Sequence, residues 1–422
     1  MPNAAPPVAD VVIVNIRELC TLAGPPGQPR RGHWASELGL LADAAVAIAG
    51  DRIVWVGRSD DAQRAVPTHA ETRVLDARGL TVTPGLVDPH THLVFGGSRE
   101  EEFVQRLSGA SYAEILAAGG GIHQTVAHTR AAAPETLFEE GRARLRRMLA
   151  HGTTTVEAKS GYGLSCAEEV KQLEVVRRLA AEGPLELVPT FMGAHAVPPG
   201  MEADAYTQLV IDEMLPEIAR LGLARYVDVF CEQGVFTPAQ TERMFAAAKA
   251  AGFGLRLHAD ELSDLGGGAL AARWGAASAD HLLMTGADSV AALAASDTVA
   301  VMLPGTPFFL GMRERAPARA LLAAGAALAI GTDFNPGSCF SESMPMMMTL
   351  ACLHLSLTPA EALVASTWNA AYSLGLSTRI GSIEVGKQAD LVVWDVPNHA
   401  HLAYHFAVPL VKHVLKKGQV CL

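Results

Sequence analysis

Two histidines, His90 and His92, close the run Leu80-Thr-Val-Thr-Pro-Gly-Leu-Val-Asp-Pro-His-Thr-His92. Side chains alternate faces along a strand, so this i, i+2 spacing aims both imidazoles the same way. Two nitrogens held together at a strand end are half of a metal site. Two further strand-like runs end in groups able to complete it, Gly254-Leu-Arg-Leu-His258 and Leu328-Ala-Ile-Gly-Thr-Asp333. Three imidazoles and one carboxylate suit Zn²⁺ or iron with a position left open for water, and the donor set does not decide between the two metals. His399-Ala-His401 has the same spacing. It follows a polar stretch with no apolar run leading into it, and reads as a surface pair.

The elements that must carry these groups alternate along the chain. Strand-like runs end at His92, Ala158, His195, Glu232, His258, His281, Leu303 and Asp333. Helical patterns separate them, as at Pro134–Ala150, Ala167–Ala181, Pro238–Ala251 and Arg315–Gly325. Eight strands alternating with helices predict an α/β fold, a (β/α)8 barrel with its polar residues at the C-terminal strand ends. A doubly wound open sheet is the alternative, but no Gly-x-Gly-x-x-Gly turn follows a strand.

Both chain ends read differently. Val11–Asn15, Ala45–Ile48, Arg52–Gly57 and Val74–Gly79 are short strand-like runs, and Gly50-Asp51 is a hairpin signal between two of them. Gly381–Asp395 and Val411–Gly418 look alike. Neither end holds enough strands to bury a sheet alone, so the ends are expected to pack together. This predicts a composite β-sandwich domain from 1–79 and 376–422, with the barrel, 80–375, inserted in it.

Composition narrows the class. Half of the 422 residues are hydrophobic and 18% are charged, which suits a soluble globular enzyme. A net charge of −11 and the lack of a basic, aromatic-interleaved stripe argue against nucleic acid. No apolar run reaches membrane-spanning length, and the N-terminus lacks the basic and apolar regions of a signal peptide. The six cysteines form no Cys-x-x-Cys pair, which disfavours a disulfide framework or a zinc–thiolate site. A cytoplasmic protein is expected.

Pro84-Gly-Leu-Val-Asp-Pro-His-Thr-His92, His258, His281 and Gly331-Thr-Asp-Phe-Asn335 resemble the amidohydrolase superfamily. Within it, Asp88 to Glu100 (with Gly-Gly-Ser-Arg99), Lys159-Ser-Gly-Tyr-Gly163, Phe191-Met-Gly-Ala-His195, His258-Ala-Asp-Glu261 and Thr332-Asp-Phe-Asn-Pro-Gly-Ser338 are similar to the imidazolonepropionase family. The resemblance runs nearly end to end. It implies a distorted barrel with a flanking β-sandwich and one Zn²⁺ or iron ion held by His90, His92, His258 and Asp333. The implied reaction is hydrolysis of the cyclic amide of 4-imidazolone-5-propanoate to N-formimidoyl-L-glutamate, and a homodimer is the family expectation.

The resemblance also implies roles. Glu261, three residues past His258, takes a proton from water or holds a ring N–H. His281 polarises the carbonyl or shuttles protons, and Asp333 doubles as ligand and proton carrier. Arg99 grips the substrate carboxylate. Tyr162, His195, Asn335, Gly337 and Ser338 complete the substrate contacts, together with Glu261. Lys159 reads as structural or substrate-side. The alternatives are a purine or pyrimidine aminohydrolase, which has no need of Arg99, and a non-catalytic scaffold.

Overall fold

The computed structural model describes residues 7–110, 120–183 and 185–422. The leading residues, read above for a signal peptide, lie outside it apart from Pro7. The N-terminal part supplies β1 (Ala9–Cys20), β2 (Leu40–Ala49), β3 (Arg52–Arg58), β4 (Thr68–Asp76) and β5 (Thr81–Pro84). Eight strands follow: β6 (Leu86–Asp88), β7 (Thr153–Lys159), β8 (Glu186–Ala194), β9 (Tyr226–Cys231), β10 (Gly254–Ala259), β11 (Ser278–His281), β12 (Val299–Met302) and β13 (Leu328–Ile330). β14 (Leu391–Trp394), β15 (Val411–Lys416) and β16 (Gln419–Val420) end the chain.

The chain ends do meet in one mixed sheet, ordered β16-β15-β14-β5-β1-β2-β3 with β4 also on β1. β1 pairs with β2 along one edge and with β4 and β5 in turn along the other, and it bulges between Ile13 and Ile16, where its register with β2 shifts and Asn15 takes φ +56°. Before the bulge it pairs with β4, and after it with β5. Apolar residues from both ends, among them Ile13, Val46, Val82, Leu391 and Leu415, close a single buried cluster. Gly50, at φ +57°, makes the turn between β2 and β3, as the Gly-Asp signal predicts.

The run expected as one strand to His92 divides at Pro84-Gly85. Proline has no N–H for the ladder, and a Cβ on Gly85 would run into Thr154. β5 therefore stays with the terminal sheet, against β14, and β6 starts the barrel. All neighbouring pairs from β6 to β13 are parallel. The remaining seam closes beyond the strand ends: Thr91 bridges Phe334, His92 N–H donates to Phe334 O (2.9 Å) and Asp333 N–H to His90 O (3.0 Å). His90 and His92 thus lie past their strand. The bridge at Thr91 keeps that segment extended, so the two-residue alternation still holds.

Helices occupy Pro134–Ala150, Cys166–Glu182, Pro238–Ala250 and Ala318–Ala324, close to the predicted spans. Pro238 at the first turn and the Thr237/Gln240 capping box fix one start. Pro317 delays another, which was expected at Arg315. Among the described residues no helix is long and apolar enough to cross a membrane.

Candidate active site

The predicted ligands converge at the C-terminal mouth of the barrel. His90 Nε2 and His92 Nε2 lie 3.4 and 3.5 Å from Asp333 Oδ1, and His258 Nε2 lies 3.4 Å from His92 Nε2. All four residues are buried. The outer nitrogens of two rings are held by carboxylates: His90 Nδ1 donates to Asp280 Oδ2 (2.6 Å) and His258 Nδ1 to Asp228 Oδ1 (3.0 Å). Both rings are thereby turned with Nε2 toward the centre, the arrangement that orients metal-ligating imidazoles.

The donor set fits a metal ion. His90 Nε2 and both nitrogens of His281 are buried without a hydrogen-bond partner. Two sets, His90/His258/His281 and His90/His92/Asp333, each bring one ligand atom per residue within 4.8 Å of the others. Burial first, then Lys159 or the neighbouring imidazoles, holds His90, His92 and His281 well below the usual imidazole range. Neutral rings keep the lone pair that a metal needs. The buried carboxylates around them, Asp88, Glu157, Asp228, Asp280 and Asp333, outnumber the buried cations Lys159 and Arg256, a balance that favours a bound cation.

Asp333 is set by its neighbours. Thr306 Oγ1 donates to its Oδ2 (2.6 Å), which leaves Oδ1 facing the imidazoles. Burial raises its carboxyl to about 6 despite that hydrogen bond. Asp88 ties the two loops together, accepting from Thr332 N–H (3.0 Å), Thr332 Oγ1 (2.6 Å) and His90 N–H (3.4 Å). Asp333 and His281 sit at φ +52° and +75°, uncommon for these residues. No spacing in the sequence announces that strain.

Glu261 lies 3.7 Å from His281 Nδ1, too far for a hydrogen bond. Burial, then the charges of Asp333 and Glu232, raises its carboxyl to about 8. Glu232 holds the loop in place, accepting from Leu262 N–H (2.8 Å) and from the Ser263 hydroxyl.

Several of the expected substrate residues adjoin the ligands. His195 stacks on His92 (centroids 4.7 Å, 13° between planes), and burial lowers it to about 3. Tyr162 is buried against both rings, 5.7 Å from His92 and 5.3 Å from His195. Arg99 Nη2 binds Glu102 Oε2 (2.6 Å), and its Nη1 lies over Gly337, where any Cβ would run into it. Arg99 also lines a cavity of about 250 Å³ with Phe103, Phe309, Pro336 and Phe340. Asn335 directs its amide into its own loop: Nδ2 donates to Asp333 O and Ser338 Oγ, and Oδ1 accepts from Gly337 and Ser338 N–H. Ser338 Oγ is 3.4 Å from Asp333 Oδ2.

Lys159 is fully buried, with Nζ 2.8 Å from Glu157 Oε1 and 2.7 Å from Asp228 Oδ2. Its ammonium, between carboxylates, is enclosed in the barrel. Sequence reasoning passed over Glu157, Asp228, Arg256, Asp280 and Thr306. The available signal was a charged residue inside an otherwise apolar strand, as in Tyr226-Val-Asp-Val, because such residues are rarely buried unless paired.

The amidohydrolase family matches residues 81–421. The chain is 51% identical to an imidazolonepropionase of Symbiobacterium thermophilum over 97% of both chains. It is also 51% identical to one of Geobacillus kaustophilus over 96% of both. By fold it is similar to an adenosine deaminase from Xanthomonas campestris, with a TM-score of 0.71 and 21% identity over 99% of this chain and 94% of that one. An atrazine chlorohydrolase from Arthrobacter aurescens gives a TM-score of 0.73 at 19% identity, over 97% and 94%. Identities this low speak for the fold alone. The likeness to the curated relatives goes further, in sequence and over nearly the whole length, and on it the chain belongs to the imidazolonepropionase family of the amidohydrolases.

Proposed function

We propose that this chain catalyses the imidazolonepropionase reaction, hydrolysing the cyclic amide C–N bond of 4-imidazolone-5-propanoate to give N-formimidoyl-L-glutamate. The observation that carries the reading is the meeting of His90, His92, His258 and Asp333 beside Glu261 and His281, in a chain matched end to end by this family. His90, His92, His258 and Asp333 hold one zinc or iron ion per chain. When bound, such an ion lowers the pKa of water from 15.7 to about 7 and supplies a nucleophile at neutral pH.

Water adds across the C–N bond: its oxygen ends on the ring carbonyl carbon and a proton on the leaving nitrogen. Glu261 takes the proton from the attacking water. Its carboxyl, raised to about 8, lies close enough to neutrality both to accept and to return a proton. His281, neutral and with neither ring nitrogen engaged, offers an N–H to the carbonyl oxygen as charge builds there. Asp333 relays the proton to the leaving nitrogen.

Arg99 pairs with the propionate carboxylate, against the acidic charge of the chain as a whole. Tyr162 and His195 wall the ring. The loop Asn335–Ser338 offers Gly337 backbone and the Ser338 hydroxyl, and Asn335 shapes it. The barrel unit, expected at 80–375 and entered at Leu86 once β5 is counted with the terminal sheet, carries the reaction, and the composite unit from both chain ends braces it. The enzyme works in the cytoplasm as a homodimer, the commonest symmetric assembly, without nucleic acid or membrane partners.

The test is loss of imidazolone absorbance when purified protein meets freshly generated imidazolonepropionate, with metal analysis of the same sample. Metal-dependent ring opening is expected. No turnover by a metal-loaded sample would overturn the substrate and redirect the search to purine and pyrimidine amines.

A further inference from the structure

Beneath the four ligand residues lies a buried ionic layer that the reaction itself does not use. Lys159 ends β7 with its ammonium enclosed, and three carboxylates surround it: Asp228 Oδ2 at 2.7 Å, Glu157 Oε1 at 2.8 Å and Asp280 Oδ2 at 3.9 Å. Each touches a different part of the metal-holding set. Asp228 Oδ1 accepts from both His258 Nδ1 (3.0 Å) and His258 N–H (3.1 Å). Asp280 accepts from His90 Nδ1. Glu157 accepts from the N–H of Thr91, the residue between His90 and His92 (3.2 Å), and Thr91 Oγ1 donates to Glu157 O (2.6 Å). The backbone of Lys159 joins in, its N–H donating to Thr91 O (3.0 Å).

We propose that Lys159 is a positioning residue for the metal site: one ammonium fixes the three carboxylates that aim His90 and His258 and hold the His90–His92 segment. Three carboxylates brought within a few ångströms of one another repel, and burial deprives them of water's screening. Without a central cation the three side chains would turn away from one another, and the imidazoles that Asp228 and Asp280 orient would lose their direction. Arg256 supports the layer from one side, donating to Pro89 O (2.7 Å) just before His90 and lying 3.5 Å from Asp280 Oδ2. It lies 3.8 Å from Glu157, and Asp228 is not among its salt-bridge partners among the described residues. Lys159 is the cation that ties Asp228, and through it His258, to the other two. A lysine suits this place because a compact ammonium donates to Glu157 and Asp228 at once and still attracts Asp280 by its charge, whereas a guanidinium is a planar fork.

The inference rests on the reading that His90, His92, His258 and Asp333 hold a metal ion. The experiment compares wild type with Lys159→Met, which keeps most of the length of the side chain and removes its charge. Zinc affinity is measured by competition with a chromophoric chelator, and the visible absorption of the cobalt-loaded proteins is recorded. Loss of an outer-sphere partner weakens metal binding by about 10–100-fold, and that loss is expected for Lys159→Met. A shifted cobalt spectrum is expected with it, since the rings no longer face the ion as before. A role confined to folding would lower the melting temperature of the metal-free protein and leave the cobalt spectrum unmoved. Wild-type zinc affinity or an unshifted spectrum in a folded Lys159→Met protein overturns the proposal. If Lys159→Met does not fold, Lys159→Met/Glu157→Gln, which removes one charge of each sign, carries the same expectation and the same overturning result. Failure of wild type to bind zinc or cobalt would instead sink the metal reading itself.

Discussion

The chain contains the pattern His-x-His twice, and the two copies behave differently. At His90 and His92 both rings are buried, both Nε2 atoms approach Asp333, and His258 closes on them from another strand. At His399 and His401 the rings are half-buried, more enclosed than a surface pair. His399 Nδ1 binds Glu18 Oε1 (3.0 Å) and His401 Nδ1 pairs with Asn398 Oδ1 (3.0 Å), so each ring is engaged with a different neighbour. Glu18 and Cys20 do lie near His399, yet Glu18 Oε1 already accepts from the His399 N–H (2.6 Å), and burial keeps the Cys20 thiol protonated. In both places a carboxylate takes one ring nitrogen. Only at the barrel mouth do the other nitrogens converge. Spacing supplies the direction of two side chains, and what the rest of the fold brings opposite them makes the site.

The two pairs diverge most under truncation. His90→Ala is expected to lose bound metal and to lower kcat/KM by about a thousandfold or more, equivalent to several kcal/mol of barrier. His399→Ala should keep metal and activity within about twofold, and lose about 1–2 kcal/mol of stability with its hydrogen bond to Glu18. Metal analysis and steady-state rates on the two purified variants decide this. Equal losses in both would break the contrast between the two pairs.

The next effect separates holding a metal from using it. Glu261→Gln should retain metal while kcat drops by about 10²–10⁴-fold. A proton acceptor must be ionised, so kcat/KM of the wild type rises as pH rises through the Glu261 pKa. Burial sets that value at about 8, and a bound cation nearby moves it down. An acid limb with its midpoint at or below pH 8 is therefore expected in the wild-type profile and absent from the Glu261→Gln profile. A limb that persists in the variant would assign it to another group.

Much of this was legible in advance because strand ends carry their chemistry openly. His258 and His281 close short strand-like runs, and Asp333 follows an apolar one, so position and polarity point to the same residues. Three features were hidden. The break at Pro84-Gly85 divides an apolar run between two sheets, and neither residue says which sheet takes which half. The ionic layer of Glu157, Lys159, Asp228, Arg256 and Asp280 sits at inward positions of barrel strands usually filled by branched apolar side chains. Which of those charges pair depends on strands distant in sequence, such as β7 with β9 and β11. The third is Asn335, a polar residue beside a ligand whose amide is directed into its own loop.

Arg99 extends the contrast to substrate. If its guanidinium receives the propionate, Arg99→Met should raise KM by about 10–100-fold, the loss of hydrogen bonds to a charged group, with metal content unchanged. Steady-state kinetics over a wide substrate range, beside metal analysis, checks it. An unchanged KM would remove Arg99 from the binding site and leave its pairing with Glu102 as a purely structural contact.

The smallest effect is also the most discriminating. Gly337 stands where a Cβ would run into Arg99 Nη1, and the obstacle is the far end of a flexible side chain. Gly337→Ala should therefore fold normally and displace the guanidinium, raising KM about fivefold, the equivalent of roughly 1 kcal/mol, with kcat and metal unchanged. The cause is then clearance for Arg99 and not a contact between Gly337 and substrate. A double-mutant cycle separates the two: in an Arg99→Met background, where the guanidinium is gone, Gly337→Ala should add nothing further. Additive increases would mean that Gly337 meets the substrate through its own backbone. As with the two histidine pairs, what counts at Gly337 is what the fold places opposite it.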